Sequence, residues 1–520
     1  MPIPRTPNSA AKPGVNPWLV AIVVSMATFM EVLDTSIANV SLGHIAGNLG
    51  ASQAQATWVL TSYLAANAIV IPISGWLSSV MGRKRFYMTC VAVFTASSFL
   101  CGIAPSLGML LLFRVFQGAG GGGLAPSEQG MLADTFPGRY FGMAFAVYGM
   151  AVIVAPAIGP TLGGWITDNF SWRWIFFMNI PVGLISLALT QRLIQDPDPV
   201  PGAARQGRNG IRIDHMGFAF VILAFGCLQV VLDKGQESDW FGSGFICVFA
   251  VLAIVGFIGL VVWETMVEKD PIVDIPLLAN SNLATSMVLQ FVVGFILNST
   301  TVLIPLFAQE LLGYNSTQAG LLLMPGGLIL ILMFPLAGKL VQVVQPKYLM
   351  ASGLAVLTLS LYFMSGFNPQ VAFGNLMWAR LLQCLGLPLF FIPLNTIAYG
   401  NLPPGKTNSA SSMMNLMRNL GGSIGIAVAA TLLTRRSQVH QAYLAANATR
   451  FYPPLVHRMN AMGGFTRKNV VGFYGTVQIQ AAMLSYLDVF RILTVVCVIV
   501  IAVVLLLRRV RKDEQPVLTH

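Results

Sequence analysis

Charge is scarce in this sequence: Asp, Glu, Lys and Arg together make up only 9% of its 520 residues. A soluble globular protein carries roughly 25%, so this composition cannot clothe a water-facing surface. Metal-ligand and redox patterns are missing too. The six cysteines (Cys90, Cys101, Cys227, Cys247, Cys384 and Cys497) all sit inside apolar runs, and there is no CxxC or Cys/His cluster. Thiols in such surroundings are inert packing residues. The five histidines are scattered. No nucleophile–base constellation points to an enzyme, and no nucleotide domain points to an ATP-driven pump. A cleavable signal peptide is not expected, because the first apolar run is too long and lacks a small-residue cleavage site.

Apolar residues are abundant, at 55% of the chain, with a mean hydropathy of +0.72. Runs of about 20 apolar residues recur, the length a helix needs to cross the hydrocarbon core. They predict an all-α polytopic membrane protein of about fourteen spans. The expected spans are 17–40, 56–79, 86–104, 107–132, 141–166, 173–194, 214–233, 243–264, 283–308, 317–343, 347–367, 371–397, 407–433 and 487–508.

The net charge of +11 follows the membrane rather than a nucleic acid. About 18 basic residues fall on one side of these spans, among them Arg83-Lys84-Arg85, Arg139, Arg192 to Arg212, Lys269, Lys339, Lys347, Lys406 and the tail from Arg508 to Lys512. Short loops on the other side hold about two, Arg173 and Lys234. The positive-inside rule therefore predicts that both termini are cytoplasmic, with the chain a multi-pass protein of the inner membrane. Arg435, Arg436, Arg450, Arg458, Arg467 and Lys468 break the pattern, but long loops translocate largely regardless of charge.

The Pro/Gly/Arg-rich segment 195–213 reads as a solvated linker, with a second linker around 265–282. The expected organisation is an N-terminal six-helix half over 1–194 and a linker with two additional spans over 195–282. A C-terminal six-helix half follows over 283–520, with a long periplasmic loop at 434–486. An internal echo relates the halves. Arg114-x-x-Gln117-Gly118 in span four is matched by Arg380-x-x-Gln383 in span twelve, and Gly75…Gly82-Arg83-Lys84 by Gly338…Pro346-Lys347. Such symmetry is expected of a transporter built from repeats around a midplane site.

Ionisable residues inside spans are costly and are functional candidates. Asp34 lies about 24 Å along span one and Arg114 about 10 Å along span four, which runs the other way. The two can therefore meet if their helices adjoin. Such a pair is either a proton-loading site or a static tie between helices. Glu31 precedes Asp34 by three residues. Glu128, beside Pro126, is either a second protonation or substrate site or an interfacial carboxylate. Arg418, about 16 Å into span thirteen, serves either substrate contact or helix tying, and the C-terminal spans offer no obvious acid to pair with it.

Two pattern matches are rejected. Gly400-Asn-Leu-Pro-Pro-Gly405-Lys406-Thr407 fits the P-loop spelling but links two membrane helices, and Pro403 and Pro404 have no N–H for a phosphate. Gly118-x-Gly120-x-x-Gly123 fits the dinucleotide fingerprint but lies within span four, where small residues allow close helix packing. Span five carries Gly149, Gly159, Gly163 and Gly164 with Pro156 and Pro160. Those residues remove side chains and interrupt the hydrogen-bond ladder, so this helix can pack closely and bend.

Several of these segments resemble a known family. Gly75-Trp-Leu-Ser-Ser-Val-Met-Gly82-Arg83-Lys84-Arg85, Arg114-Val-Phe-Gln117-Gly118-Ala-Gly120 and Gly149-Met-Ala-Val-Ile-Val-Ala-Pro156-Ala-Ile-Gly159-Pro160-Thr-Leu-Gly163-Gly164 are similar to signatures of the major facilitator superfamily. Leu33-Asp34-Thr35-Ser36-Ile37-Ala38-Asn39-Val40, and the run from Trp172 to Pro181, resemble the fourteen-span drug:proton antiporters of the EmrB/QacA type. Leu232-Asp233-Lys234-Gly235 and Asp270-Pro271-Ile272-Val273-Asp274 look closest to the EmrB branch. The resemblance implies a major facilitator fold and proton-coupled export of small hydrophobic or amphipathic, drug-like compounds. It implies no cofactor beyond the proton gradient, and a periplasmic adaptor with an outer-membrane channel as partners. The alternative is an exporter dedicated to one metabolite, such as a siderophore, fatty acid or aromatic acid. One departure stands out. Ser79 occupies a position where the loop signature usually has an acid, so the family's charge relay cannot be carried over.

Overall fold

The computed structural model describes residues 10–12, 14–136, 138–196, 214–267, 272–400, 402–403, 406–446, 448, 452–461 and 463–506. Most of the linker 195–213, the residues Lys269, Asp270, Pro271 and Arg450, and the basic tail from Arg508 to Lys512 lie outside these.

Among the described residues thirteen helices are long and apolar enough to cross a membrane, and a bent pair makes a fourteenth. They are α1 (Pro17–Val40), α2 (Ala54–Met81), α3 (Arg83–Gly102), α4 (Leu107–Thr135), α5 (Gly138–Asn169), α6 (Trp174–Leu193), α7 (His215–Lys234) and α8 (Gly244–Met266). The remainder are α9 (Ser281–Glu310), α10 (Gln318–Leu340), α11 (Pro346–Met364), α12 (Phe373–Tyr399), α13 (Thr407–Ala446) and α14 (Arg467–Leu506). All the spans expected from hydropathy are present among the described residues. The helices start where the sequence caps them. Asn16 accepts from the Trp18 amide ahead of Pro17 in α1, Ser106 from Met109 in α4, and Asn315 forms a capping box with Gln318 before α10.

Helices α1–α6 pack among themselves, as do α9–α14. The two groups meet along two seams, α5 against α10 and α2 against α13. The echo seen in the sequence has a spatial counterpart, since α1 packs on α5 as α9 packs on α13, and α2 on α4 as α10 on α12. Helix α8 is the most apolar and exposed of the inserted pair, with Val248, Val251, Ile254, Ile258 and Val261 all more than half exposed. This is the surface expected against lipid tails, where no water competes. Helix α7 turns inward instead. Lys234 donates to Thr57 Oγ1 at the start of α2, Ser423 of α13 donates to Gln229 Oε1 at 3.0 Å, and Trp240 Nε1 donates to Thr431 Oγ1 at 3.1 Å. The insertion thus touches both sides of the α2–α13 seam.

The segment 434–486, expected as a long loop, is largely helical. Helices α13 and α14 each run for 40 residues, about 60 Å at 1.5 Å per residue. That is about twice the thickness of the hydrocarbon core. Between them lies a short helix, Pro453–Ala461. The overhanging arms touch through Gln441 Nε2 and Tyr474 Oη at 2.7 Å. At their base Asp488 accepts from His440 at 2.8 Å and faces Arg436 and Arg491. Hydropathy marks where apolar character ends, whereas helical propensity and these polar ties continue beyond it. That difference explains why the sequence suggests a loop.

Candidate functional site

Asp34 and Arg114 meet. Arg114 Nη1 donates to Asp34 Oδ2 at 2.6 Å, with both side chains fully buried. Opposite-facing helices bring them to one depth, and α4 has room to approach because Gly118 and Gly120 lie against the backbones of α2 and α3. The glycine fingerprint in span four is therefore a packing face. The rest of the shell holds both charges in place. Gln117 Nε2 and Asn179 Nδ2 donate to Asp34 Oδ1 at 3.0 and 2.7 Å. Arg114 Nε donates to the Val59 carbonyl at 3.1 Å, and Gln117 Oε1 accepts from Arg114 Nη1 at 2.9 Å. The guanidinium lies over the Tyr63 ring at 4.3 Å. Ser98 Oγ accepts from both Gln117 and Asn179.

Glu31 does not join this cluster. One helical turn before Asp34, it accepts from Tyr63 Oη at 3.1 Å and Asn67 Nδ2 at 3.2 Å, and Asn67 Oδ1 accepts from Asn419 of α13 at 3.4 Å. Glu128 is fully buried and accepts from Thr28, leaving its Oε1 without a partner. Arg418 reaches across the seam to donate to Tyr148 Oη on α5 at 3.0 Å, and it also donates to Asn415 Oδ1 at 2.8 Å. It acts electrostatically on both Glu31 and Glu128. Its hydrogen-bond partners are thus a phenol and an amide, and it makes no ion pair among the described residues. Alongside, Gln129 Oε1 accepts from Tyr399 Oη and Asn415 Nδ2, a second polar crossing between the halves. The ionisable residues therefore divide into a sealed pair inside the N-terminal half and a looser group along the seam.

At the end of the bundle where α1 begins, the α2–α13 seam is closed. Gly75 lies against the backbone of Ser409, with Ser74 and Ser412 hydroxyls 2.9 Å apart and Asn408 donating to Ser78. Gly82 takes a positive φ of 86°, which suits glycine and turns the chain into α3. Arg83 then pairs with Asp134 at the end of α4, whose Oδ1 accepts from Thr407 Oγ1 at 3.0 Å. Lys84 donates through its amide to Asp196 at 2.7 Å and through Nζ to the Gln191 carbonyl at 3.0 Å. Ser79 only donates to the Trp76 carbonyl of its own helix. The acids of this corner are Asp134 and Asp196, which are remote in sequence from Arg83 and Lys84.

Helix α5 bends by 43° between Tyr140–Pro156 and Ile158–Asn169. Pro160 has no N–H for the carbonyl of Pro156, and Ser36 of α1 donates to that carbonyl instead, at 3.5 Å. Gly159 and Gly163 lie against Ser36 and Ile37, and Gly149 against the Phe334 ring of α10. Gly164 faces open space. Lys406 of the P-loop lookalike pairs with Asp274, while Asn401, Pro404 and Gly405 lie outside the described residues.

Asn179, Ser98, Tyr63 and Asn67 are not among the ionisable residues that burial cost marks in the sequence. Asn67 and Asn179 each carry a signal, as amides in apolar spans, and Asn179 lies within the run from Trp172 to Pro181. The others are ordinary polar residues whose importance comes from the neighbours that folding supplies.

The profile described as Major Facilitator Superfamily matches residues 24–426. The chain is 39% identical over 449 residues to the multidrug export protein EmrB of Haemophilus influenzae, covering 86% of each. It is 36% identical over 432 residues to the fatty acid resistance protein FarB of Neisseria gonorrhoeae, covering 83% of this chain and 84% of that one. Among solved structures, the human organic anion transporter MFSD10 superposes with a TM-score of 0.59 at 13% identity, over 92% of this chain and 99% of that one. Two six-helix groups facing across two seams, a profile match over most of the chain and these relatives lead to one conclusion: the chain belongs to the major facilitator superfamily, on its EmrB branch, and is a membrane transporter.

Proposed function

We propose that the chain exports small hydrophobic or amphipathic compounds in exchange for protons, by alternating access, as a multidrug antiporter. The observation that carries this is the Asp34–Arg114 pair, buried without water contact yet held by polar side chains from α1, α3, α4 and α6. A carboxylate sealed from water must be neutralised by a cation or by a proton. Rocking of the halves that admits water to Asp34 lets a proton take the place of Arg114, and the reverse movement expels it. Glu31, Glu128 and Arg418 line the seam where substrate would pass. The closed α2–α13 seam lies on the cytoplasmic side in this reading, because Arg83, Lys84, Arg85, Lys339, Lys347 and Lys406 crowd that end. The overhanging arms of α13 and α14 then project into the periplasm, where they offer a docking surface for an adaptor and, through it, an outer-membrane channel. The proton gradient replaces any cofactor.

A dedicated exporter of one amphipathic acid is the second reading, favoured by the 36% identity to the FarB protein. One experiment bears on both. Purified protein in proteoliposomes with an imposed pH gradient should move dye-like cations and amphipathic acids, and a protonophore or Asp34→Asn should abolish the movement. Gradient-driven transport at the wild-type rate by Asp34→Asn would remove the proposed proton carrier. Movement of a single compound class would select the dedicated exporter.

A further inference from the structure

Asp34 and Glu128 are both buried carboxyls of the N-terminal half, but they are held in different ways. Asp34 takes three N–H donors, one of them a guanidinium. Glu128 is 0% exposed and has a single bond, between its Oε2 and the Thr28 hydroxyl of α1, while Oε1 meets no donor. Ser25, one turn before Thr28, faces Glu128 as well, yet its hydroxyl is also unbonded. An ionised carboxylate offers about four lone-pair sites and must be paired when it is buried. One hydroxyl does not achieve that. A carboxylic acid needs less, because its O–H can donate to Thr28 Oγ1 and only one neutral acceptor is then left bare. The bonding around Glu128 therefore fits the acid and not its anion.

The neighbours of Glu128 come from both halves. Glu31 of α1, Tyr87 of α3, Tyr148 of α5 and Arg418 of α13 all lie within electrostatic reach of it, and Tyr63 of α2 is bound to Glu31. Arg418 is the one cation in this group among the described residues, and it belongs to the opposite half. Here it is turned to Tyr148 Oη at 3.0 Å and Asn415 Oδ1 at 2.8 Å. Ser25, Thr28, Glu31 and Glu128 all belong to the N-terminal half, so rocking of the halves changes the distance from Arg418 to Glu128 above all. We infer that Glu128 is a second proton-carrying site, loaded in this closed state and emptied when movement of the halves brings Arg418 against it. The O–H bond of Glu128 then breaks, its electron pair stays on the carboxylate, the proton leaves to water admitted along the seam, and the guanidinium takes its place. A group whose charge partner sits across a moving interface binds its proton differently in the two states, as coupling requires. This deepens the export reading and rests on it: two protons cross in each cycle, one on Asp34 and one on Glu128.

Two measurements on the full chain test this, and the first needs no transport. The infrared difference spectrum of the wild type minus Glu128→Gln, in lipid nanodiscs at neutral pH, should show the C=O stretch of a protonated carboxyl that shifts in heavy water. Carboxylate bands in its place overturn the proposal. Glutamine is the isostere of the protonated acid and keeps the bond to Thr28, so the variant should fold like the wild type. A variant that fails to fold would show that a needed charge had been removed, which also overturns it. The second measurement is the steady-state accumulation of ethidium in proteoliposomes under an imposed pH gradient with the membrane potential clamped. Two carriers should give about a hundred-fold accumulation per pH unit, falling to about ten-fold or less in Glu128→Gln. A wild-type accumulation of only about ten-fold per pH unit, or equal accumulation by both proteins, overturns the second carrier. If the infrared band is found and ethidium does not move in the wild type, the export reading fails while the proton on Glu128 stands.

Discussion

Replacing Asp34 by Asn tests whether the buried pair is intact in the resting protein. The carboxylate accepts from Arg114 through Oδ2 and from Gln117 and Asn179 through Oδ1. An amide has one acceptor atom and one donor group. With its oxygen toward Gln117 and Asn179, its NH2 faces the guanidinium, donor against donor. Flipped, it satisfies Arg114 and turns its NH2 on two other donors. Either way Arg114 loses its counter-ion, and its Nη2 already lacks a partner; in the first orientation it keeps only the Val59 carbonyl and Gln117 as acceptors. Breaking a buried pair from one side costs about 3–5 kcal/mol, a factor of about 150 to 5,000 in the folding equilibrium. Arg114→Gln should cost a similar amount, and the double variant should recover most of it, because both charges then go together. The assay is unfolding by sodium dodecyl sulfate in mixed micelles, followed by tryptophan fluorescence, for the wild type, both single variants and the double variant. A coupling energy of about 1 kcal/mol or less, the value of an exposed pair, would refute the sealed, mutually neutralised geometry.

Three further outcomes are expected. Lys406→Ala should leave export and the absence of ATP hydrolysis unchanged and cost no more than about 1 kcal/mol, since Lys406 is half exposed and its bond to Asp274 is a surface pair; measurable ATP hydrolysis that disappears in this variant would revive the P-loop reading. Gly149→Val should cost about 1–3 kcal/mol by overpacking against Phe334 and slow export, with Phe334→Leu as a second change restoring both; failure of that rescue would mean that the α5–α10 contact does not limit the motion. Replacing 442–473 by a short Gly/Ser link, feasible because Gln441 and Tyr474 touch, should leave transport in proteoliposomes intact while abolishing resistance in cells; full resistance would place the adaptor surface elsewhere.

Much of the fold was legible because a bilayer enforces a simple rule: a long apolar run must be a helix. All fourteen spans follow from that rule. It stops at the water line, so the helical arms beyond 433 and before 487 were invisible to it. For the site, the cost of burying charge flagged Asp34, Arg114 and Arg418 individually. Depth along each helix was enough to pair the first two. Depth did not give rotation, so Glu31 and Asp34, three residues apart, could not be assigned to different environments. Nor could the sequence give the partners of Arg418 and Arg83, because Tyr148 comes from the opposite half and Asp134 from the far end of α4.

The placement of α1 explains why one buried pair could govern a movement of whole halves. Successive residues on a helix turn by about 100°, so Ser36 lies nearly opposite Asp34 on the same rod. Asp34 holds α4 and α6 through Arg114, Gln117 and Asn179, whereas Ser36 and Ile37 hold the bent region of α5 through Pro156, Gly159 and Gly163. Helix α5 in turn carries one of the two seams. The two grips on α1 differ greatly in strength. The Asp34 shell consists of charged bonds as short as 2.6 Å, while Ser36 offers a single 3.5 Å bond to a carbonyl that Pro160 leaves free. Charged hydrogen bonds are about twice as strong as neutral ones. Any displacement of α5 relative to the N-terminal bundle therefore yields first at Ser36 and leaves the pair closed. Conversely, a proton on Asp34 weakens the stronger grip and frees α1 to follow α5. In the antiport proposed here, coupling needs no path of moving side chains between proton and substrate. It needs one rigid helix gripped on both faces, with the tighter grip responsive to a proton.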